Sequence, residues 1–193
     1  QLVEDDQLWC DCTIDLHDAV LTEIADFQGA TFTHAHFQGA TFTHYAHFWG
    51  ATFTHYAHFW GATFTHAHFW GATFTHDANF QDATFTHANF QDATFNHAHF
   101  QDATFNRANF QDATFNRDAD FERATFNHNA NFQDATFSRS APPRGLPPEQ
   151  VDEDGLPHGA RWADADDEGL EAGSPDDAPA EGTGPGSADS AAS

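Results

Sequence analysis

Between Ala25 and Arg139 the chain repeats one five-residue phrase: a small apolar residue, a polar one, a large apolar one, then two polar ones. All 22 phenylalanines stand at the centre of such a unit, each two places after an alanine. Residues two apart on an extended segment point to the same side, so Ala and Phe face one way and the other three face water. A unit this short cannot bury its own ring. Units must therefore stack, and the pattern predicts an all-β solenoid whose interior is a column of aromatics. The rings expected to lie above one another on one side are Phe27, Phe48, Phe69, Phe90, Phe110 and Phe132.

The phase slips by one residue at Tyr45, Tyr56, Asp77, Asp118 and Asn129. Each insertion follows an A-T-F-x-x unit and precedes an A-x-F unit of the other kind. Only one type of corner thus accepts a bulge, and the inserted residues are expected outside the core. Weaker units with Leu in place of Phe begin at Ile14. Residues 1–13 are expected to form an N-terminal cap, with Leu2, Val3, Leu8 and Trp9 available to cover the first coil. Residues 14–139 are the repeat domain. Residues 140–193 are rich in Pro, Gly, Ala, Ser and acid, and read as a disordered acidic tail. Leu146, Val151, Leu156 and Trp162 are the residues there able to pack on the last coil.

The phrase Ala, small polar, Phe, two polar resembles the pentapeptide-repeat family, whose signature A-[DN]-[LF]-x-x is met by Ala78-Asn79-Phe80-Gln81-Asp82. The resemblance runs from Ile14 to Arg139. It implies a right-handed quadrilateral β-helix with four units per coil. Counting 22 strong and two weak units gives about six coils, or roughly 29 Å of rod at ~4.8 Å per coil. The exclusive use of Phe at the centre, with Thr and His beside it, departs from the family pattern and leaves the partner open.

Charge narrows the function. The chain has thirty Asp or Glu, six Arg and no Lys, for a formal −24. Residues 1–24 carry −7, residues 25–139 only −6, and residues 140–193 carry −11. Such a balance argues against direct binding to nucleic acid or to an anionic membrane surface. Abundant Asp without Lys resembles the proteins of salt-loving archaea. No apolar run approaches the ~20 residues of a membrane span, and the first residues lack the basic and apolar regions of a signal peptide, so a cytoplasmic location is favoured. Cys10 and Cys12 are too close in sequence for an unstrained bridge and are expected as free thiols. With one Ser, no Lys and no Cys in the strong repeats, nucleophile-and-base pairs are missing and an enzyme is not expected.

Two sets of outward residues carry candidate chemistry. His34, His36, His55 and His58 gather at one corner, and His44, His47, His66 and His68 at the opposite one. Imidazole suits Zn, Ni or Cu, so these corners are the candidate metal ligands, although no carboxylate orients them and no cofactor is required by the fold. Tyr45, Trp49, Tyr56, Trp60 and Trp70 form a candidate aromatic binding patch for a protein partner. The leading functional expectation is a non-enzymatic interaction scaffold, with end-to-end stacking as a route to a homodimer. The family resemblance implies a second one, a DNA-mimicking inhibitor of a type II topoisomerase such as gyrase. Transition-metal binding by the His corners is the third.

Overall fold

The computed structural model describes residues 12–163. Over that span the chain is an all-β solenoid of about 7 turns, with parallel stacked coils and no α-helix. Each coil feeds one segment into a ten-stranded sheet and the next into an eight-stranded sheet; in one coil these are Thr31–His36 and Thr41–His47. The threonines stack as the repeat predicts. Thr31, Thr52, Thr73, Thr94, Thr114 and Thr136 pair in sequence on one sheet. Thr41, Thr63, Thr84, Thr104 and Thr125 pair on the other.

Inside, the phenylalanines form four columns. Phe27, Phe48, Phe69, Phe90, Phe110 and Phe132 step upward at ring-centroid distances between 4.7 and 5.0 Å. The other columns start at Phe32, Phe37 and Phe42. Within a column the rings lie nearly parallel, whereas neighbouring columns meet edge to face, as Phe48 and Phe59 do at 5.7 Å and 85°. Both arrangements suit the ring quadrupole. Alanine seals the remaining space, because nothing larger fits beside so many rings.

The two unit types make different corners. After A-x-F the chain turns at once: the Ala30 amide donates to the Phe27 carbonyl at 3.1 Å, and the residue between, Gly29, has φ +65°. A positive φ at the third turn residue favours Gly, and Asp tolerates it. The equivalent places therefore read Gly39, Gly50, Gly61 and Gly71, then Asp82, Asp92, Asp102 and Asp112. After A-T-F the backbone bonds to the preceding coil instead, as Thr54 N–H does to the Phe32 carbonyl at 2.9 Å. No local turn bond fixes that corner, so an extra residue fits there. Tyr45, Tyr56 and Asn129 are exposed, Asp77 and Asp118 are half-buried, and none enters the core.

Three sequence expectations need correction or restriction. Coil number is about 7 rather than six, because the ten-stranded sheet begins at Cys12–Asp15 and ends at Arg161–Trp162, beyond both limits of the strong repeat. Residues 140–163 are not a disordered tail but a folded cap. Its last part retraces a coil: Asp134 N–H bonds to the Gly159 carbonyl, Arg161 pairs with Thr136, and Trp162 lies over Phe137. Ala160-Arg161-Trp162 is in effect a degenerate A-T-F unit lying over Ala135-Thr136-Phe137, and Pro157 holds the place of Phe132, since Ala160 N–H bonds to its carbonyl at 2.9 Å. Leu156 is buried, and Leu146 and Trp162 pack on the core. Residues 1–11, with most of the expected N-terminal cap and Cys10, lie outside the described residues, as do residues 164–193. Cys12 is a free thiol.

The cap is held at two points. Asp120 is buried and accepts from Arg144 Nη2 at 3.1 Å, from Gln101 Nε2 at 3.0 Å and from the Glu122 amide at 2.9 Å. Gly145, at φ +74°, passes so close to Glu122 that a Cβ would collide with its backbone.

Two outcomes follow from this packing. Phe80→Asp buries an unpaired charge among stacked rings and is expected to unfold several coils together, as a loss of far-UV signal well below the wild-type urea midpoint. Gly145→Ala is expected to cost about 1–3 kcal/mol through collision and left-handed strain, read as a lowered urea midpoint.

Candidate interaction faces

The corner chemistry sorts the polar surface by charge. The tight turns carry stacked acids, Asp92, Asp112 and Asp134 on one side and Asp82 and Asp102 half a coil away. The A-T-F corners carry imidazoles and guanidiniums, with Asp77 and Asp118 inserted among them on one of the two sides. In one corner column Tyr45, His66, His87 and Arg107 follow one another. The backbone requirement for Gly or Asp at the turns produces this separation, and the sequence reading did not see it. The signal was present: the fifth place of the A-x-F units is Gly or Asp in nearly every copy.

The histidines form ladders, though not all those expected. His34, His55 and His76 stack at 5.0 and 5.4 Å, and His36 lies over His58 at 5.3 Å. On the other side His66 stacks on His87 at 4.8 Å, and His47 meets His68 edge to face at 5.5 Å. His44 stays out of the ladder, because the bulge puts Tyr45 over His66 at 4.5 Å. Imidazole lone pairs lie in the ring plane, so parallel rings do not aim them at a common point. Among the described residues no three His, Cys, Asp or Glu side chains are grouped to hold a metal ion. In this packing the candidate ligands other than His44 offer pairs of imidazoles, short of the four ligands of a structural zinc site.

The five candidate aromatics divide between two sides. Trp49 and Trp70 belong to one turn column and touch at 6.3 Å, and Tyr45 lies close by, 5.6 Å from His68. Trp60 stands half a coil away, on the side of Tyr56. The sequence grouped them because they are close along the chain, whereas the four-unit coil places odd and even A-x-F units on opposite sides. Trp60 and Trp70 are half exposed and donate their indole N–H to Asp82 and Asp92 in the next coil, at 2.9 and 2.7 Å. The buried Trp49 Nε1 has no hydrogen-bond partner among the described residues.

Beside the Trp49–Trp70 column runs a shallow groove of about 370 Å³. One wall is Tyr45, His66, His87 and Arg107; the other is His68, Asn89 and Asn109. Its floor includes Ala88 and Ala108, which are 6% and 9% exposed where most of the inward alanines are fully sealed. Asn109 Nδ2 donates to Asn89 Oδ1 at 3.2 Å, and the buried His87 Nδ1 lacks a partner among the described residues. No carboxylate lines it. Burial holds the His66 and His68 imidazoles below their ordinary pKa, reinforced by neighbouring imidazoles, and does the same at His58.

The turn columns, the corner columns and the five-residue register together define a pentapeptide-repeat solenoid, and the chain belongs to that family. Family models described as pentapeptide repeats match residues 13–52 and 100–141 in one case and 78–117 in the other. No curated protein and no solved structure matches the chain. Among the described residues no helix is long and apolar enough to cross a membrane.

The imidazole ladders give the fold a pH dependence of defined sign. His58, His66 and His68 bind protons less readily folded than unfolded. The unfolded chain therefore gains protons first as pH falls through about 6.5, and stability declines below that point. His17, raised by Asp15, has the opposite sign, but both groups are exposed and screened. The urea midpoint is expected to be flat from about pH 8 to 7 and to fall toward pH 5, and His66→Asn should flatten part of that fall.

Proposed function

We propose that the chain is a non-enzymatic scaffold that presents the side bearing Tyr45, Trp49 and Trp70 to a protein partner. One observation carries the reading. Trp and Tyr stand at outward places of the strong repeat only within residues 34–76, together with nine histidines, whereas residues 78–139 carry Gln, Asn, Asp and Arg there with four histidines. The core beneath does not change: Phe42 lies 4.7 Å from Phe64 in the first stretch and Phe110 lies 4.8 Å from Phe132 in the second. The fold makes no demand that would explain the switch. Half-exposed aromatics beside polar neighbours are what a contact face offers. Trp60 and Tyr56, on the other side, provide a second and separate surface.

A pull-down from the native organism at its own salt concentration tests this. Trp49→Gln with Trp70→Gln should preserve the far-UV spectrum, since Gln occupies the same place in Gln91 and Gln111, and should lower capture about tenfold or more. Capture at the wild-type level would defeat the reading. A supercoiling assay serves the gyrase-inhibitor reading, and inhibition that survives both Trp changes would favour it. Calorimetry with Zn or Ni does the same for the His ladders.

A further inference from the structure

The groove beside the Trp49–Trp70 column is lined by imidazoles, amides and one guanidinium, Arg107, on a strongly acidic protein. Its occupant is suggested by what stands next to it. Asn89 accepts a bond from the Gln91 amide at 3.1 Å, and Gln91 leads directly into the Asp92 turn. The groove and the acidic column of Asp92, Asp112 and Asp134 are therefore adjacent strips on one side of the solenoid. Neither strip is neutralised internally. Arg107 makes no ion pair among the described residues, and the three carboxylates bond only to side-chain donors, namely Trp70 and the glutamines 91, 111 and 133.

We propose that this side is a self-complementary surface through which two copies of the chain associate laterally, the acidic column of each lying along the groove of the other. Three features make a second copy the fitting partner. Opposite charges sit side by side, so a two-fold axis between two copies satisfies both strips at once and closes the assembly as a dimer. Donors and acceptors recur with the same spacing, because both strips are generated by one coil repeat; His66 and His87 stand 4.8 Å apart, one coil step. Finally, Tyr45 and Trp70 are exposed beside the strips and supply apolar area to the contact. Complementarity of this kind sets register and discriminates against other partners more than it adds raw affinity.

Acid should favour the dimer. The titratable groups lining the groove are Tyr45 from one coil, His66 and His68 from the next, and His87, followed by Arg107, with no acid among them; His47 stands beside His68, outside the lining. Burial holds the His66 and His68 imidazoles below their ordinary pKa, so they gain charge late as pH falls, whereas Arg107 is charged throughout. The contact works against the repulsion of two −24 chains, but only ten of the thirty acids lie within residues 25–139.

Sedimentation equilibrium of the full chain at about 0.15 M salt, where charges beyond ~8 Å are screened, tests the proposal at about pH 6 and pH 8. A dimer is expected that tightens toward pH 6. Arg107→Gln should weaken it about tenfold or more. Gln81→Glu makes the same one-unit change in net charge on the opposite side and should leave it unchanged. Asp112→Asn is the most discriminating variant. It removes a negative charge from an acidic protein, which would promote indiscriminate association, yet it should weaken this dimer. Its far-UV spectrum should be unaltered, since Asn also adopts the left-handed turn. A monomer at pH 6, or a dimer indifferent to both Arg107→Gln and Asp112→Asn, overturns the proposal. So does a monomer that takes up polyglutamate in an Arg107-dependent way, which would assign the groove to an acidic peptide. Trp70 belongs to both contacts, so partner capture is measured at a concentration where the wild type is monomeric, and capture there that needs Trp49 and Trp70 but neither Arg107 nor Asp112 separates the two readings.

Discussion

Every part of this molecule answers to the distance between two stacked phenyl rings. Backbone hydrogen bonding sets coils ~4.8 Å apart, and a ring placed once per coil in the same orientation stacks on its neighbour at nearly that distance. The Phe columns keep centroid steps of 4.6 to 5.2 Å from the first coil to the last. A larger ring system or a branched chain would not repeat at that interval without forcing coils apart. Alanine follows as the companion residue, because the corner between two columns has no room for more.

That constraint leaves the outer surface free in composition but not in arrangement. Whatever occupies an outer place is copied upward at one-coil spacing, so residues appear as ladders whether or not they interact well. The imidazole stacks are the costly case where they are partly buried, since burial, reinforced by neighbouring imidazoles, holds His66 and His68 below their ordinary pKa. The Asn89–Asn109–Asn131 row is the favourable case, with amides donating to the coil below at 3.2 and 3.0 Å. The turns add a second rule, because positive φ admits Gly or Asp and so writes acids into two sides of the rod.

A solenoid built this way is limited by its ends, where a column of rings would otherwise meet water. At the C-terminal end the solution is an imperfect extra coil rather than a separate element. Trp162 takes the place of a Phe, Pro157 that of another, and the Asp120–Arg144 contact ties the intervening loop to the side of the rod. Proline and glycine in this segment suggest a loop by composition, and composition misled because the coil needs only short extended pieces with turns between them.

How much could be read from the chain alone is clear from particular residues. The alternation of Ala and Phe fixed which side chains face inward, and the six-membered column beginning at Phe27 was predictable residue by residue, because inward and outward depend only on local period. The positions of Tyr45, Tyr56, Asp77, Asp118 and Asn129 outside the core were legible for the same reason. What only the tertiary structure decided is which outward residues meet. Successive coils differ in length, 20 residues from Thr94 to Thr114 and 22 from Thr114 to Thr136, so nearness along the chain does not give nearness on the surface. Trp60 stands apart from Trp49 and Trp70 because alternate A-x-F units fall on opposite sides of a four-unit coil, and the one-residue bulge at Tyr45 displaces His44 from its ladder. The groove between Arg107 and Asn109 likewise exists only because strands of different coils lie in register, a relation set by hydrogen bonds between residues about twenty places apart and carried by no single unit of the repeat.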